Sequence, residues 1–275
     1  MHQQQIEQIE TWLDEADGLL ITAGAGMGVD SGLPDFRGDE GFWKAYPALA
    51  QAGIRFVDAA NPKTFHVNPR LAWGFYGHRL QLYRRTTPHA GFGILKQLGA
   101  QLPHGYFVYT SNVDGQFQHA GFDANRICEC HGSIHLTQCL INCTQQIYSA
   151  ESLTISVDDL TCQWLGPLPL CRSCGGPLRP NILMFDDWHW NDSRQVRQEA
   201  RLFDWLRQVE RPLVIELGAG SHIKTVRQFS EQYGWRLVRV NPREFEVHPP
   251  HLGIDSGALD FCLQLQQLLD SKRLP

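Results

Sequence analysis

Two pairs of cysteines, Cys139-x3-Cys143 and Cys171-x2-Cys174, stand 27 residues apart. Thiolates in two close pairs suit a tetrahedral zinc site, and four protein ligands make such a site structural because no coordination position stays open. Gly175-Gly176 after the second pair gives the tight turn that such knuckles favour. Cys162 lies between the pairs and is the rival ligand, whereas Cys128, Cys130 and Cys262 have apolar neighbours and are expected to pack in the core. A second chemistry is offered by Gly24-Ala25-Gly26, which follows an apolar run. Glycines there let the backbone approach a pyrophosphate, and a helix start just beyond adds N–H donors and a positive dipole end. A third is offered by Tyr76-x2-Arg79, whose spacing puts a hydroxyl and a guanidinium fork on one helical face, good chemistry for a carboxylate.

Positioning these groups requires elements that the apolar pattern predicts. Ile6, Ile9, Trp12 and Leu13 give residues 3–16 the spacing of an amphipathic helix. Gly18–Ala23 reads as a buried parallel strand, and Tyr106–Tyr109, Leu213–Leu217 and Leu237–Val240 look alike. Helical patterns around 89–99, 221–233 and 258–270 separate them, and strands alternating with helices favour a parallel α/β sheet. Two stretches break the rhythm: 40–88, rich in aromatics and prolines, and the cysteine-bearing segment after residue 131. The expectation is an α/β fold. Residues 1–39, 89–131 and 179–275 form a Rossmann-like domain, 40–88 a helical insertion, and 132–178 a small zinc-ribbon module.

A chain of 275 residues accommodates a large domain plus a small one, and 43% hydrophobic with 19% charged residues supports a buried core. A net charge of −5 argues against nucleic acid as the main partner, since phosphate binding wants a basic surface. No stretch approaches the roughly 20 apolar residues that span a bilayer, so no membrane partner is expected. The polar N-terminus has no signal-peptide core, and eight cysteines then point to reduced thiols and a cytoplasmic address.

The run Gly24-Ala25-Gly26-Met27-Gly28-Val29-Asp30-Ser31-Gly32-Leu33-Pro34-Asp35-Phe36-Arg37-Gly38 closely resembles the NAD loop of the sirtuins. Thr110-Ser111-Asn112-Val113-Asp114-Gly115 resembles that family's second signature, His131-Gly132 its catalytic histidine, and Arg179-Pro180-Asn181-Ile182-Leu183-Met184-Phe185 the segment after its zinc module. Gly218-Ala219-Gly220-Ser221 and Val240-Asn241 sit where the family contacts phosphate and the adenosine ribose. The resemblance is ordered and runs from about 15 to 265.

The resemblance implies that NAD is consumed as a co-substrate while an acylated-lysine protein or peptide is deacylated, releasing nicotinamide and O-acyl-ADP-ribose. Asn112 and Asp114 would hold the nicotinamide end, Asp35 and Phe36 shape its pocket, and Arg37 lie near the phosphates. His131 would be the general base, a role that suits an imidazole with an ordinary pKa of about 6.5. Gly24, Ala25, Gly26, Ser111, Gly218, Gly220, Ser221 and Asn241 complete the implied cofactor set, with Phe185 against the substrate. Tyr76 and Arg79 resemble the pair by which the desuccinylase branch binds an acyl carboxylate, and Ala60 falls at a matching position.

Departures from the family pattern are Gly28 for a serine, Ser111 for a glutamine, Ala219-Gly220 for a threonine–serine pair, and Asp186 for a glycine. A lysine deacylase is the favoured reading. A sirtuin-type ADP-ribosyltransferase or NAD hydrolase, and a non-catalytic NAD or ADP-ribose binding module, are its alternatives.

Overall fold

The computed structural model describes residues 2–34 and 38–271. Its central strand, β1 (Gly18–Ala23), is buried at every position. It pairs in parallel with β2 (Tyr106–Thr110) on one side and β9 (Pro212–Leu217) on the other. β3 (Ile127–Glu129) extends the sheet beyond β2, and β10 (Arg236–Val240) and β11 (Leu252–Ile254) extend it beyond β9. The order is β11-β10-β9-β1-β2-β3, parallel throughout.

Side chains alternate across a strand, so a continuous apolar run must be covered on both faces. Leu19 and Ile21 pack with Ile9, Trp12, Leu95, Phe261 and Leu265, from α1 (Gln3–Glu15), α7 (Ala90–Ala100) and α11 (Ala258–Ser271). Leu20 faces the other way, with Leu202, Val226 and Phe229 from α9 (Ser193–Leu206) and α10 (Thr225–Tyr233). In open α/β sheets ligands sit beyond the carboxyl ends of the strands where the strand order reverses. Here that point lies between β1 and β9, and Gly24 follows β1 directly.

A third apolar cluster joins the two interruptions. Residues 40–88 fold into α2 (Gly38–Ala45), α3 (Pro47–Gln51), α4 (Phe56–Ala59), α5 (Pro62–Val67) and α6 (Pro69–Arg85). The cysteine-bearing segment forms an antiparallel sheet, β5-β4-β8, from β4 (Gly132–Cys139), β5 (Ile147–Ser149) and β8 (Leu178–Ile182). A two-stranded ribbon, β6 (Val157–Asp158) with β7 (Gln163–Trp164), lies on α6. Helix and ribbon touch backbone to backbone at Gly74, where any side chain would run into the Cys162 carbonyl. Trp73 Nε1–H donates to the Leu178 carbonyl at 2.9 Å, tying α6 to β8 as well.

The sequence reading places a boundary at residue 179, whereas β8 crosses it and pairs with β4 through Ile182. The helix expected from 221 begins at Thr225, because Ser221 is held by Glu244 through its N–H (2.9 Å) and hydroxyl (2.5 Å). β3 and β11 are three residues each, too short to show periodicity. Among the described residues no helix is long and apolar enough to cross a membrane.

Candidate active site

The glycine loop leaves β1 as a 3-10 helix, Ala25–Ser31, that ends on left-handed Gly32. The helix start expected beyond the glycines is this tight turn. Gly24 abuts the loop after β9: a Cβ at Gly24 would sit 2.7 Å from Ala219 Cα, and left-handed Gly218 lies against Gly26 in turn. Gly26 N–H donates to the Gly218 carbonyl at 3.0 Å. Glycines are therefore required on both sides of this crossing.

β2 delivers the second group. Thr110 Oγ1 donates to the Ala23 carbonyl (2.9 Å) and accepts the Asn112 N–H (3.0 Å), while Asn112 Nδ2 donates to the Gly24 carbonyl (2.9 Å). Asn112 is thus fixed to the glycine loop. Asp114 is buried and accepts the Gln116 N–H at 2.9 Å at the start of α8 (Gln116–His119), while its own carbonyl bonds His135 Nε2 at 2.8 Å. The tight turn that leads into α8 and a place on the cavity wall coexist in this one residue.

Between these groups and the 183–185 segment lies a cavity of about 340 Å³. Ala25, Ser111, Asn112, Asp114, His131, Tyr76, Arg79 and Phe185 all line it. His131 follows β3, and its carbonyl accepts the Leu183 N–H at 2.9 Å. Phe185 N–H donates to the Ala60 carbonyl at 3.0 Å, and its ring meets Phe56 edge-on at 5.9 Å. Burial holds the His131 imidazole below its ordinary pKa, so it is neutral and able to accept a proton at neutral pH.

Burial also pushes the Asp114 carboxyl up to about 6, against the opposing pull of the Gln116 N–H. A carboxyl whose folded pKa lies above its unfolded one costs stability as it ionises. The fold should therefore lose on the order of 3 kcal/mol as pH rises from about 4 to about 6. Asp114→Asn removes that step. Calorimetry should find the variant the more stable at pH 7.5, with the gap closing by pH 4; a parent more stable at pH 7.5 would contradict this.

Tyr76 and Arg79 reach the same cavity, both buried. Arg79 donates through Nε (3.0 Å) and Nη2 (2.8 Å) to the hydroxyl of Tyr83, a cavity residue the sequence reading missed. Positions 76, 79 and 83 share one helical face, a spacing that by itself fits core packing equally well. Of the other cofactor candidates, Gly218, Gly220, Ser221 and Asn241 lie on neighbouring segments and are not among the described residues that line the cavity. Gly218 supports the glycine loop, and Gly220 and Ser221 lie beside Glu244. Asn241 is a brace: its Nδ2 donates to the Ala219 carbonyl (3.0 Å), and its Oδ1 accepts the N–H groups of Arg243 and Glu244 (3.0 Å each). Asp35, Phe36 and Arg37 lie outside the described residues.

The four paired cysteines converge, with all sulfurs within 4.8 Å of one another. Cys139 and Cys174 are 3.7 Å apart, as are Cys143 and Cys171. Four thiolates about 2.3 Å from a tetrahedral zinc stand about 3.8 Å apart, so the donor set fits that ion. Cys162 is buried in the cluster under α6 and does not join them.

The Sir2 family model matches residues 24–209, more than half of the chain. The chain belongs to the Sir2 family. Among curated Sir2 relatives, the NAD-dependent protein deacylase of Aquifex aeolicus (strain VF5) is 28% identical over 83% of this chain and 85% of its own length. The NAD-dependent protein deacylase 2 of Pyrobaculum aerophilum is 32% identical over 84% and 82%. The solved structure of a Sir2 homologue–NAD complex superposes with a TM-score of 0.72 at 21% identity, covering 96% of this chain and 94% of that one. The expected fold class, a Rossmann-like sheet with a cysteine-bearing module, is therefore the Sir2 fold.

Proposed function

We propose that this Sir2 protein is an NAD-dependent protein-lysine deacylase. What supports the reading is the convergence of His131, Asn112 and Asp114 on one cavity beyond the end of β1, beside a glycine crossing with room only for backbone. When bound there, NAD supplies a ribose carbon that releases nicotinamide and takes up the acyl oxygen. The chain's own work is to position and exclude. Asn112, tied to the Gly24 carbonyl, and Asp114 hold the nicotinamide end. His131 takes a ribose hydroxyl proton onto its neutral imidazole, and Phe185 with Phe56 walls the acyl-lysine entrance. Zinc on Cys139, Cys143, Cys171 and Cys174 is structural. The curated relatives named above as NAD-dependent protein deacylases agree with this reading.

The acyl pocket, we infer, favours groups ending in a carboxylate, such as succinyl or malonyl. Arg79 places a buried guanidinium on the cavity wall between Tyr76 and Tyr83, held on the Tyr83 hydroxyl through Nε and Nη2, and its positive charge there favours an acyl group that ends in a carboxylate. Mass spectrometry of products from acetyl, succinyl and malonyl peptides with NAD tests both levels. O-acyl-ADP-ribose is expected, whereas ADP-ribosylated protein or free ADP-ribose without deacylation would favour the transferase or hydrolase reading instead. Arg79→Met should cost the succinyl reaction about 10–100-fold and spare the acetyl one. Equal loss of both would defeat the carboxylate assignment.

A further inference from the structure

The segment that closes the cavity carries two side chains that the reaction leaves unused. Beyond the end of β8, Leu183 and Phe185 are exposed and Met184 is buried, and the chain turns at Phe185-Asp186. Asp186 has a left-handed backbone (φ +53°), a conformation aspartate tolerates better than most residues. Its exposed carboxylate accepts one long bond, from Asn61 Nδ2 at 3.5 Å. The neighbouring acids are neutralised: Asp187 is held by Arg179 at 2.6 Å and Asp58 by Arg55 at 2.9 Å. Among the described residues no cation pairs with Asp186. Two positions on in the same turn, Trp188 exposes 91% of its surface.

A carboxylate and an open indole face on one turn at the mouth of an acyl-lysine cavity are a receptor for a cation, the first through charge and the second through its π face. We propose that this turn selects acyl-lysine peptides carrying a lysine or arginine beside the modified residue, and that Asp186 and Trp188 set that preference. The inference rests on the deacylase reading. It adds the charge of the flanking sequence, which His131, Asn112 and Asp114 do not determine.

The test compares acyl-lysine peptides that differ only at the flanking positions, with arginine, alanine or glutamate, at low and high salt. Steady-state deacylation should give kcat/KM about five- to tenfold higher for arginine than for glutamate peptides, carried mainly by KM and shrinking at high salt as expected of exposed charges. Asp186→Asn should bring the ratio towards one, and Trp188→Ala should lower it through the arginine peptides alone. A ratio within twofold in the parent, or one unchanged in Asp186→Asn, overturns the proposal while leaving the deacylase reading intact. Failure to deacylate any peptide overturns that reading and this inference with it.

Discussion

Replacing His131 with alanine is expected to lower deacylation by about 10²–10⁴-fold, the range that positioned general bases contribute. The imidazole stands on the cavity wall between Asn112 and Asp114 on one side and Leu183 to Phe185 on the other. It is lodged there by its own backbone, which accepts the Leu183 N–H. Its depressed pKa has a direct consequence for pH dependence. The neutral ring is the working form, so activity should be lost as pH falls through a value below histidine's ordinary 6.5 and be full at neutral pH. The loss in His131→Ala should fall on kcat, with NAD affinity by calorimetry held within a few-fold, because glycine-loop backbone and Asn112 do the binding. A variant within fivefold of the parent would remove His131 from the mechanism. It would also revive the reading in which the chain only binds the dinucleotide.

Zinc removal should be the more destructive change. Structural zinc contributes roughly 10–16 kcal/mol in small thiolate sites, more than the whole stability of most domains. Cys139 and Cys171 belong to the same buried cluster as Trp73, Phe75, Tyr76, Trp164 and Leu178, so the metal's loss should not stay local. Chelation, or Cys171→Ser, is expected to release hydrogen-exchange protection across 139–178 and then along α6, loosening the wall that presents Tyr76 and Arg79. More than nine-tenths of deacylation should go with it. The sheet β11-β10-β9-β1-β2-β3 has two clusters of its own and should keep its protection, giving two-stage unfolding. A single cooperative loss of all protection, or full activity in the chelated protein, would contradict this.

How far the sequence discloses this molecule depends on the range of the interactions. Leu19 to Ile21 and Leu213 to Leu217 announce buried parallel strands because both faces of each need apolar cover. The cysteine pairs announce a metal because their spacing is local. Tyr83 escapes notice because a tyrosine inside an aromatic helix looks like core until Arg79 is seen to bond it. Asn241 reads as a ligand contact, and in the fold its amide also braces the chain, accepting locally from Arg243 and Glu244 and donating to Ala219, a partner visible only once β9 and β10 lie side by side. α9 is hard to see for a different reason. Its sequence, SRQVRQEARLFDWL, buries only Gln198, Leu202 and Trp205, so its apolar stripe is thin.

The Arg179–Asp187 pair has a consequence beyond its neighbourhood. Both side chains are sealed from solvent, and the aspartate also accepts the N–H groups of Met184 (3.2 Å) and His189 (3.2 Å). The turn is thereby clamped from beneath at both ends, while positions 186 and 188 project from its crest. A surface so anchored can exchange Trp188 without disturbing the path of the chain, whereas position 186, left-handed at φ +53°, suits aspartate, asparagine or glycine. On the proposed role of this turn, preference among targets can then shift at these two positions while the cavity lined by His131, Asn112 and Asp114 keeps its geometry.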